Sequence, residues 1–246
     1  MVLKILLAIC YILFFVFVPL YDKAYWPEPT KKSLTYKIVS ATMFVAIGVI
    51  GMFISDNKSE FAITMIMGLV CGWFGDILMH IPSKKNMTCL YIGAAGFLVG
   101  HIFYVAAFVN GTKSFVTDYK FFTLPELIAF LVVYIAFIIM LKPVFKFNFD
   151  SKFLQYGLYL YGVFLVGMLF KVIGFAVTYL KYGADNNIIS AIILIIAGFS
   201  FFTSDLTLGI RLLGGRKDSK FIKSLSLNTY FFAQLLLSTS ILFIKA

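Results

Sequence analysis

Charged side chains are scarce in this sequence. Asp, Glu, Lys and Arg make up 13% of its 246 residues, whereas 61% are hydrophobic. An average soluble domain has about 25% charged residues, so this chain lacks the polar groups needed to cover its apolar area in water. The composition therefore excludes an ordinary soluble domain and indicates a chain surrounded by lipid.

The motifs of several enzyme classes are missing too. The sequence has no GxSxG elbow, no P-loop and no GxGxxG after a strand, so nothing supports a serine hydrolase or a nucleotide-driven pump. The two histidines and two acids have no HExxH or similar spacing, so we expect no metal and no other cofactor. Cys10, Cys71 and Cys89 have no CxxC spacing, and we interpret them as small buried hydrophobic residues.

Long apolar runs fill most of the chain. They are continuous and do not alternate in period two, which argues against a transmembrane β-barrel. One helical crossing takes about 20 residues, so the sequence predicts an all-α fold, a polytopic transmembrane bundle of about eight helices with short loops. Residues 1–246 are predicted to form a single transmembrane helical domain. The predicted helices are 3–20, 34–54, 61–81, 87–109, 122–141, 154–179, 187–210 and 225–244. Turn signals such as Asn110-Gly111 and Lys142-Pro143 mark the breaks between them.

The basic residues predict the orientation in the membrane. The formal net charge is +10, which we assign to topology and lipid head groups and not to nucleic acid. The odd-numbered loops carry 13 Lys and Arg residues against 6 on the other side, which favours cytoplasmic odd loops and non-cytoplasmic termini. We expect the N-terminal run to be a retained first helix and not a signal peptide. A bacterial inner membrane fits these features.

Five ionisable residues stand out within the predicted helices or at a helix start. A charge at mid-membrane costs about 2.5–3.5 kcal/mol on insertion scales, so such residues usually face the bundle interior and have a role. Lys171 and Glu126 lie toward the predicted outer side, where we expect them to pair with each other or to reach the interface. The other three, Asp76, His101 and Asp205, are candidates for a functional site.

Small residues accompany the two candidate acids. Gly68, Gly72 and Gly75 are three to four residues apart, so they form one smooth helix face that ends beside Asp76. Asp205 follows Ser204 in another helix that contains small residues. Both acids fall in the predicted cytoplasmic half of helices that run in the same direction. We therefore expect their carboxyl groups to share one cavity.

Other polar residues are predicted to face the same bundle interior. His101 follows a Gly96-xxx-Gly100 packing face and is expected farther outward than the acids. In the last helix, Tyr230 and Gln234 share a face, and we expect them and Asn228 to point toward the cavity. His80 could share the face of Asp76, but interface snorkelling is an equal alternative.

Four short motifs occur along the chain in a recognisable order. They are Gly75-Asp76-x-Leu78-Met79, Gly96-Phe97-x-x-x-His101-x-x-Tyr104, Gly198-x-x-x-Phe202-x-Ser204-Asp205 and Tyr230-x-x-x-Gln234. In these motifs the sequence resembles the YhhN-like integral membrane proteins, a family that includes the lysoplasmalogenases. It departs from the family where Lys37-Ile38 stands in place of a Lys-Pro pair, and residues 110–190 offer no matching motif.

The resemblance implies an activity. Lysoplasmalogenases hydrolyse the vinyl ether bond of a lysophospholipid in the bilayer, giving a fatty aldehyde and a glycerophospho-head group, without a metal. Such a reaction needs one acid that holds a proton and one carboxylate that steadies positive charge or activates water, as in glycosidases. Asp76 and Asp205 are the candidates for these two roles, in either order.

Further residues are predicted to bind the substrate. The basic cluster from Arg211 to Lys223 could attract the phosphate, although positive-inside topology alone would also explain it. The full set of predicted substrate-binding residues is His101, Tyr104, Ser204, Tyr230, Gln234, Lys37 and Arg211.

Two other classes of function fit the same residues. A proton-coupled transporter of a lipid or amphiphile would also use buried acids and a histidine, although the sequence shows no inverted repeat. A non-catalytic lipid-binding membrane protein would need the acids for stability alone.

Overall fold

The described part of the chain folds into a bundle of eight α-helices. The computed structural model describes residues 1–81, 87–149, 151–183, 187–214 and 219–244, and this part contains no strand. The helices are α1 (Val2–Ala24), α2 (Lys31–Ser55), α3 (Glu60–His80), α4 (Met87–Lys113), α5 (Leu124–Met140), α6 (Lys152–Tyr182), α7 (Asn187–Leu213) and α8 (Lys220–Phe243). The all-α prediction is confirmed.

Seven of the described helices are long and apolar enough to cross a membrane, so this is a multi-pass membrane protein. The exception is α5, whose 17 residues would span about 25 Å of a hydrocarbon core that is about 30 Å thick. Two contacts show that α5 runs antiparallel to α6. The Tyr134 hydroxyl donates to the Tyr159 carbonyl at 3.0 Å, and Glu126, earlier in α5, forms an ion pair at 2.7 Å with Lys171, later in α6. Pairing of Lys171 with Glu126 was one of the two predicted alternatives.

Capping side chains set several helix starts. Thr30 and Ser33 form a capping box at the start of α2, and serine side chains cap α3, α6 and α8. Because Ser219 caps α8, that helix begins five residues before its predicted start. The break predicted at Asn110-Gly111 is wrong, since α4 continues to Lys113. Gly111 serves packing there, because a Cβ on it would lie 2.6 Å from the Phe175 ring.

Glycines allow close approach where the site is built. The most extensive interface joins α3 to α4, followed by those of α7 with α8 and α1 with α2. At the first of these, a Cβ on Gly75 would lie 3.0 Å from the Phe97 ring and 3.1 Å from the Gly93 carbonyl oxygen. On the other helix, Gly100 lies close to the Gly68 carbonyl oxygen. The predicted small-residue faces therefore pack against each other.

Contacts between helix ends show which ends lie together. The Ser33 hydroxyl at the start of α2 is 3.1 Å from Nε2 of His80 at the end of α3. Lys223, at the start of α8, donates to the carbonyl of Tyr25, just after α1. We call this end of the bundle, where α1 ends and α2 begins, the first-loop side. Its assignment to the cytoplasm stays a prediction, and the basic residues Lys84, Lys85, Arg216, Lys217 and Lys245 that contributed to it lie outside the described residues.

Candidate functional site

A polar cavity of about 80 Å³ lies in the half of the bundle nearer the first-loop side. Asp76 lies four residues before the end of α3, and Asp205 lies eight residues before the end of α7. Both acids line this cavity, as the sequence predicted. The other lining residues are Tyr21, Tyr25, Lys37, Met79, Phe97, Ser204, Leu208, Arg211, Lys223, Ser226, Leu227, Tyr230 and Phe231.

Asp76 is held between a cation and a hydroxyl. Its side chain is 2% exposed, and Oδ1 lies 3.0 Å from Nζ of Lys37, which is 12% exposed. The Tyr230 hydroxyl donates to Oδ2 at 2.7 Å. A buried ammonium this close balances a negative charge, so the contact is that of an ionised carboxylate. Lys37, which Ile38 and not a proline follows, thus places its ammonium at this acid.

Two predicted substrate-binding residues lie behind the cavity wall. The Tyr104 hydroxyl donates to Oε1 of Gln234 at 2.6 Å, and Nε2 of Gln234 donates to the Tyr230 hydroxyl at 3.1 Å. Both residues are fully buried and neither lines the cavity. Gly72 makes room for this network, since a Cβ there would lie 2.7 Å from Nε2 of Gln234. In this structure Tyr104 and Gln234 therefore position Tyr230, which in turn contacts Asp76.

Asp205 has a different set of partners. Its side chain is 7% exposed, and Oδ2 lies 3.3 Å from Nε2 of His101. The Tyr161 hydroxyl also donates to Oδ2. The Nδ1 atom of His101 is 2.8 Å from the Phe97 carbonyl oxygen, which can only accept, so Nδ1 carries a hydrogen. His101 was expected farther outward than the acids, yet its ring reaches Asp205.

The contact between His101 and Asp205 requires a proton. With Nδ1 protonated, a neutral imidazole would turn the lone pair of Nε2 toward the carboxylate, and two lone pairs repel. Nε2 is buried, and among the described atoms it makes no hydrogen bond of good geometry. One proton held by either Nε2 or Oδ2 makes the contact favourable. His101 and Asp205 thus form a histidine–carboxylate contact beside the cavity.

Two cations lie at the end of the cavity nearest the first-loop side. Arg211 lines the cavity, and its buried Nε atom has no hydrogen-bond partner in the described part of the chain. Lys223 is 3.6 Å from the centre of the Tyr25 ring and donates to the Tyr25 carbonyl. Ser204 also lines the cavity, one residue before Asp205. This end is suited to an anion, because a guanidinium binds phosphate and carboxylate oxygens in a fixed geometry.

Comparison with known proteins bears on the whole arrangement. A model of the YhhN family matches residues 33–241. The chain belongs to the YhhN family. No curated protein and no solved structure matches it. The matched range contains Lys37, Asp76, His101, Asp205 and Tyr230, whereas all of α1 precedes it.

Two residues of this YhhN-family protein differ from the sequence predictions. Tyr161 contacts Asp205 but was not predicted, and Asn228 was predicted to face the cavity but does not line it. Tyr161 lies in the stretch where no motif was found, and the available signal was a tyrosine beside a glycine, Gly162, in an otherwise apolar run. Asn228, predicted to point toward the cavity, is exposed, and its Nδ2 atom donates to the Ser224 carbonyl at 2.9 Å. A helical amide that bonds back to its own helix needs no partner in the bundle.

His80 is buried, like Asp76 one turn before it in α3, which rules out interface snorkelling. Its imidazole packs against the Tyr21 and Tyr25 rings, and Nε2 lies 3.1 Å from the Ser33 hydroxyl. It neither lines the polar cavity nor snorkels outward. His80 of this YhhN protein instead joins the ends of α2 and α3 on the first-loop side.

Proposed function

We propose that this YhhN-family protein hydrolyses the vinyl ether bond of lysoplasmalogens. The observation that carries the proposal is that one cavity is lined by two acids whose partners differ: Asp76 has a cation and Asp205 has a histidine. Vinyl ether hydrolysis needs an acid and a charge-stabilising base at the same place. The resemblance to lysoplasmalogenases supports the same substrate.

In this proposal Asp205 and His101 supply the proton. The proton that they share moves to the vinyl carbon farther from the ether oxygen, and the double bond's electron pair forms the new C–H bond. The positive charge that results is spread over the other vinyl carbon and the ether oxygen. The Tyr161 hydroxyl, which donates to Oδ2 of Asp205, stabilises the negative charge left on this pair.

Asp76 stabilises the cation and then activates water. Its carboxylate, held by Lys37 and Tyr230, lies in the same cavity wall as Asp205. A water molecule adds to the cationic carbon and gives up a proton to Asp76, forming a hemiacetal. The hemiacetal collapses to the aldehyde as Asp76 returns its proton to the ether oxygen, which leaves as the glycerol hydroxyl, and the hemiacetal hydroxyl gives its proton to Asp205 and His101. One water is consumed, and both acids return to their starting state after proton exchange.

Arg211 and Lys223 orient the substrate in this proposal. A lysoplasmalogen has a phosphodiester on the glycerol carbon away from the vinyl ether, so its anion lies a few bonds from the reacting atoms. The free Nε atom of Arg211 and the nearby ammonium of Lys223 would bind that anion at the end of the cavity nearest the first-loop side. Ser204, beside Asp205, is placed to hydrogen-bond the glycerol hydroxyl.

The test measures aldehyde released from choline and ethanolamine lysoplasmalogens by detergent-purified protein, with a chelator present. We expect Asp76→Asn and Asp205→Asn each to lower kcat by about 10²–10⁴, the usual contribution of general acid–base catalysis. The control is Asp56→Asn, because the Asp56 side chain is 85% exposed at the end of α2. Full activity in folded variants of both cavity acids would contradict the mechanism.

The other candidate functions are outcomes of the same experiment. If the folded wild type releases no aldehyde and instead moves an intact lysophospholipid across a vesicle bilayer, the protein is a transporter. If it binds the lipid without moving or cleaving it, and the Asp variants change only stability, it is a lipid-binding protein.

A further inference from the structure

A second, larger space lies between α1 and α8. This groove has a volume of about 400 Å³ and is mostly apolar. Its walls include Phe14, Val18 and Pro19 of α1, together with Phe232 and Leu235 of α8. Phe15 and Phe232, which also line it, are 62% and 46% exposed, so the groove opens on the lipid-facing surface of the bundle.

The groove has defined ends. Toward the first-loop side, the Ser224 hydroxyl donates to Oδ2 of Asp22 at 2.7 Å. Toward the other side, the Tyr11 hydroxyl and the Thr239 hydroxyl are 2.8 Å apart. As a whole, α1 packs mainly on α2 and only lightly on α8. The groove is therefore a bounded opening in the bundle wall.

One aromatic ring separates the groove from the polar cavity. Phe231 lines both spaces and is 1% exposed. Its ring lies 6.0 Å from that of Phe14 on the groove side and 5.2 Å from that of Tyr230 on the cavity side, measured between centroids. Phe231 is therefore the residue at which the two spaces adjoin.

The two spaces lie at different depths in the membrane. Counted from the first-loop end of α1, the cavity residue Tyr21 comes before the groove residues Val18 and Phe14. In α8 the cavity residues run from Lys223 to Phe231 and the groove residues from Asn228 to Leu235, so the two spaces overlap in depth by about one turn. The polar space extends farther toward the first-loop side, and the apolar space extends farther toward the middle of the membrane. A lipid in one leaflet has its head group and hydrocarbon chain in the same order.

We infer that the groove between α1 and α8 binds the hydrocarbon chain of a single-chain phospholipid whose head group lies in the polar cavity. The inference rests on the proposed substrate. The cavity of about 80 Å³ is lined by charged side chains and cannot hold a long hydrocarbon chain in addition to the polar end of the lipid, so the chain must leave it. The groove beyond Phe231 receives it, and the substrate reaches the acids sideways from the bilayer.

Photolabelling of the wild-type protein tests this placement. The probe is a 1-alkyl lysophospholipid with a C16 chain and a diazirine near the chain end, and labelled residues are mapped by mass spectrometry. We expect labels on Phe15, Phe232 and their groove neighbours that disappear when excess unlabelled alkyl lipid is added. Competable labelling confined to other faces of the bundle would overturn the inference.

A matched pair of variants tests it by affinity. Val18 lines the groove, whereas Val16, on the same helix, is 48% exposed and does not line it. We expect Val18→Trp to weaken binding of the C16 alkyl lysophospholipid at least tenfold and to leave a C4 analogue unaffected. Val16→Trp should change neither affinity. Equal C16 affinities for the two folded variants would refute the inference, and the photolabelling result stands alone if Val18→Trp does not fold.

These experiments separate the inference from the proposed function. An alkyl ether has no double bond to protonate, so its binding is measured whether or not the protein is a hydrolase. Groove labelling with no aldehyde release from lysoplasmalogen would leave the chain site standing and refute the hydrolase. Aldehyde release together with labelling elsewhere would support the hydrolase and refute the chain site.

Discussion

The ion pair between Lys37 and Asp76 yields a prediction with a definite magnitude. Its atoms are 3.0 Å apart, and the side chains are 12% and 2% exposed. At an effective dielectric constant of about 20, charges at that distance attract by about 5 kcal/mol. Removing one partner leaves the other charge buried and unpaired, which typically costs about 3–5 kcal/mol. We expect Lys37→Met and Asp76→Asn each to lower the free energy of unfolding by about 3–5 kcal/mol.

The double variant separates pairing from packing. With both charges absent, no charge remains unpaired, so we expect Lys37→Met/Asp76→Asn to lose less than the sum of the single variants by at least about 3 kcal/mol. Stability is measured by unfolding in mixed micelles of mild detergent and dodecyl sulfate. If Asp76 carries protons or takes part in catalysis, the double variant will be inactive even where its stability returns.

An exposed pair in the same protein is the control for this cycle. Lys58 and Asp56 are 3.5 Å apart, but their side chains are 76% and 85% exposed. Exposed pairs are worth about 0–1 kcal/mol, so the cycle of Lys58→Met and Asp56→Asn should show almost no coupling. Additive losses at Lys37 and Asp76, within about 0.5 kcal/mol, would refute the argument that Lys37 keeps Asp76 ionised.

The remaining predictions concern the surroundings of the acids. Tyr161→Phe removes the hydroxyl that donates to Asp205, so kcat for aldehyde release should fall about tenfold or more with little change in KM, and an unchanged kcat would contradict the role given to it. Arg211→Gln removes a phosphate ligand, so KM should rise about tenfold with kcat nearly constant, whereas a pure kcat effect would place the phosphate elsewhere. Gly72→Ala puts a Cβ 2.7 Å from Nε2 of Gln234, so it should destabilise the protein by about 1–3 kcal/mol in the same unfolding assay, and a neutral result would mean that the amide moves aside without cost.

The sequence predicted most of the fold because lipid imposes a simple rule. Backbone groups in a bilayer must be satisfied within each segment, so every long apolar run becomes a helix. The errors came where polar residues continue a helix beyond the apolar run. Lys223 is buried in the first turn of α8, although a hydropathy pattern places that helix start later. Asn110-Gly111 had the composition of a turn, but Gly111 is needed inside α4 for contact with Phe175.

The candidate site could be predicted only in part. A charged residue in an apolar run is conspicuous, so Asp76, His101 and Asp205 were identified without a structure. Tyrosine is common at buried and interfacial positions alike, so nothing in the sequence distinguished Tyr161 from the many other tyrosines. Nor can spacing within one helix show which residue of another helix it contacts. The pairing of Lys37 with Asp76 and of His101 with Asp205 is set by the tertiary structure.

The partners of the two acids explain how both can share one cavity in lipid. Lys37 lies against Asp76 and His101 lies against Asp205, so each acid has its own partner and the burial penalty is limited. Among the charged residues described on the cavity wall, Arg211 and Lys223 are the cations that do not pair with Asp76 or Asp205. The excess positive charge therefore lies toward the membrane surface, while the groove beyond Phe231 is apolar. A molecule that satisfies both regions has one anionic end and one hydrocarbon chain, with its reactive bond at their junction beside Asp76 and Asp205. A lysoplasmalogen meets that description, because its vinyl ether joins the chain to the glycerophosphate.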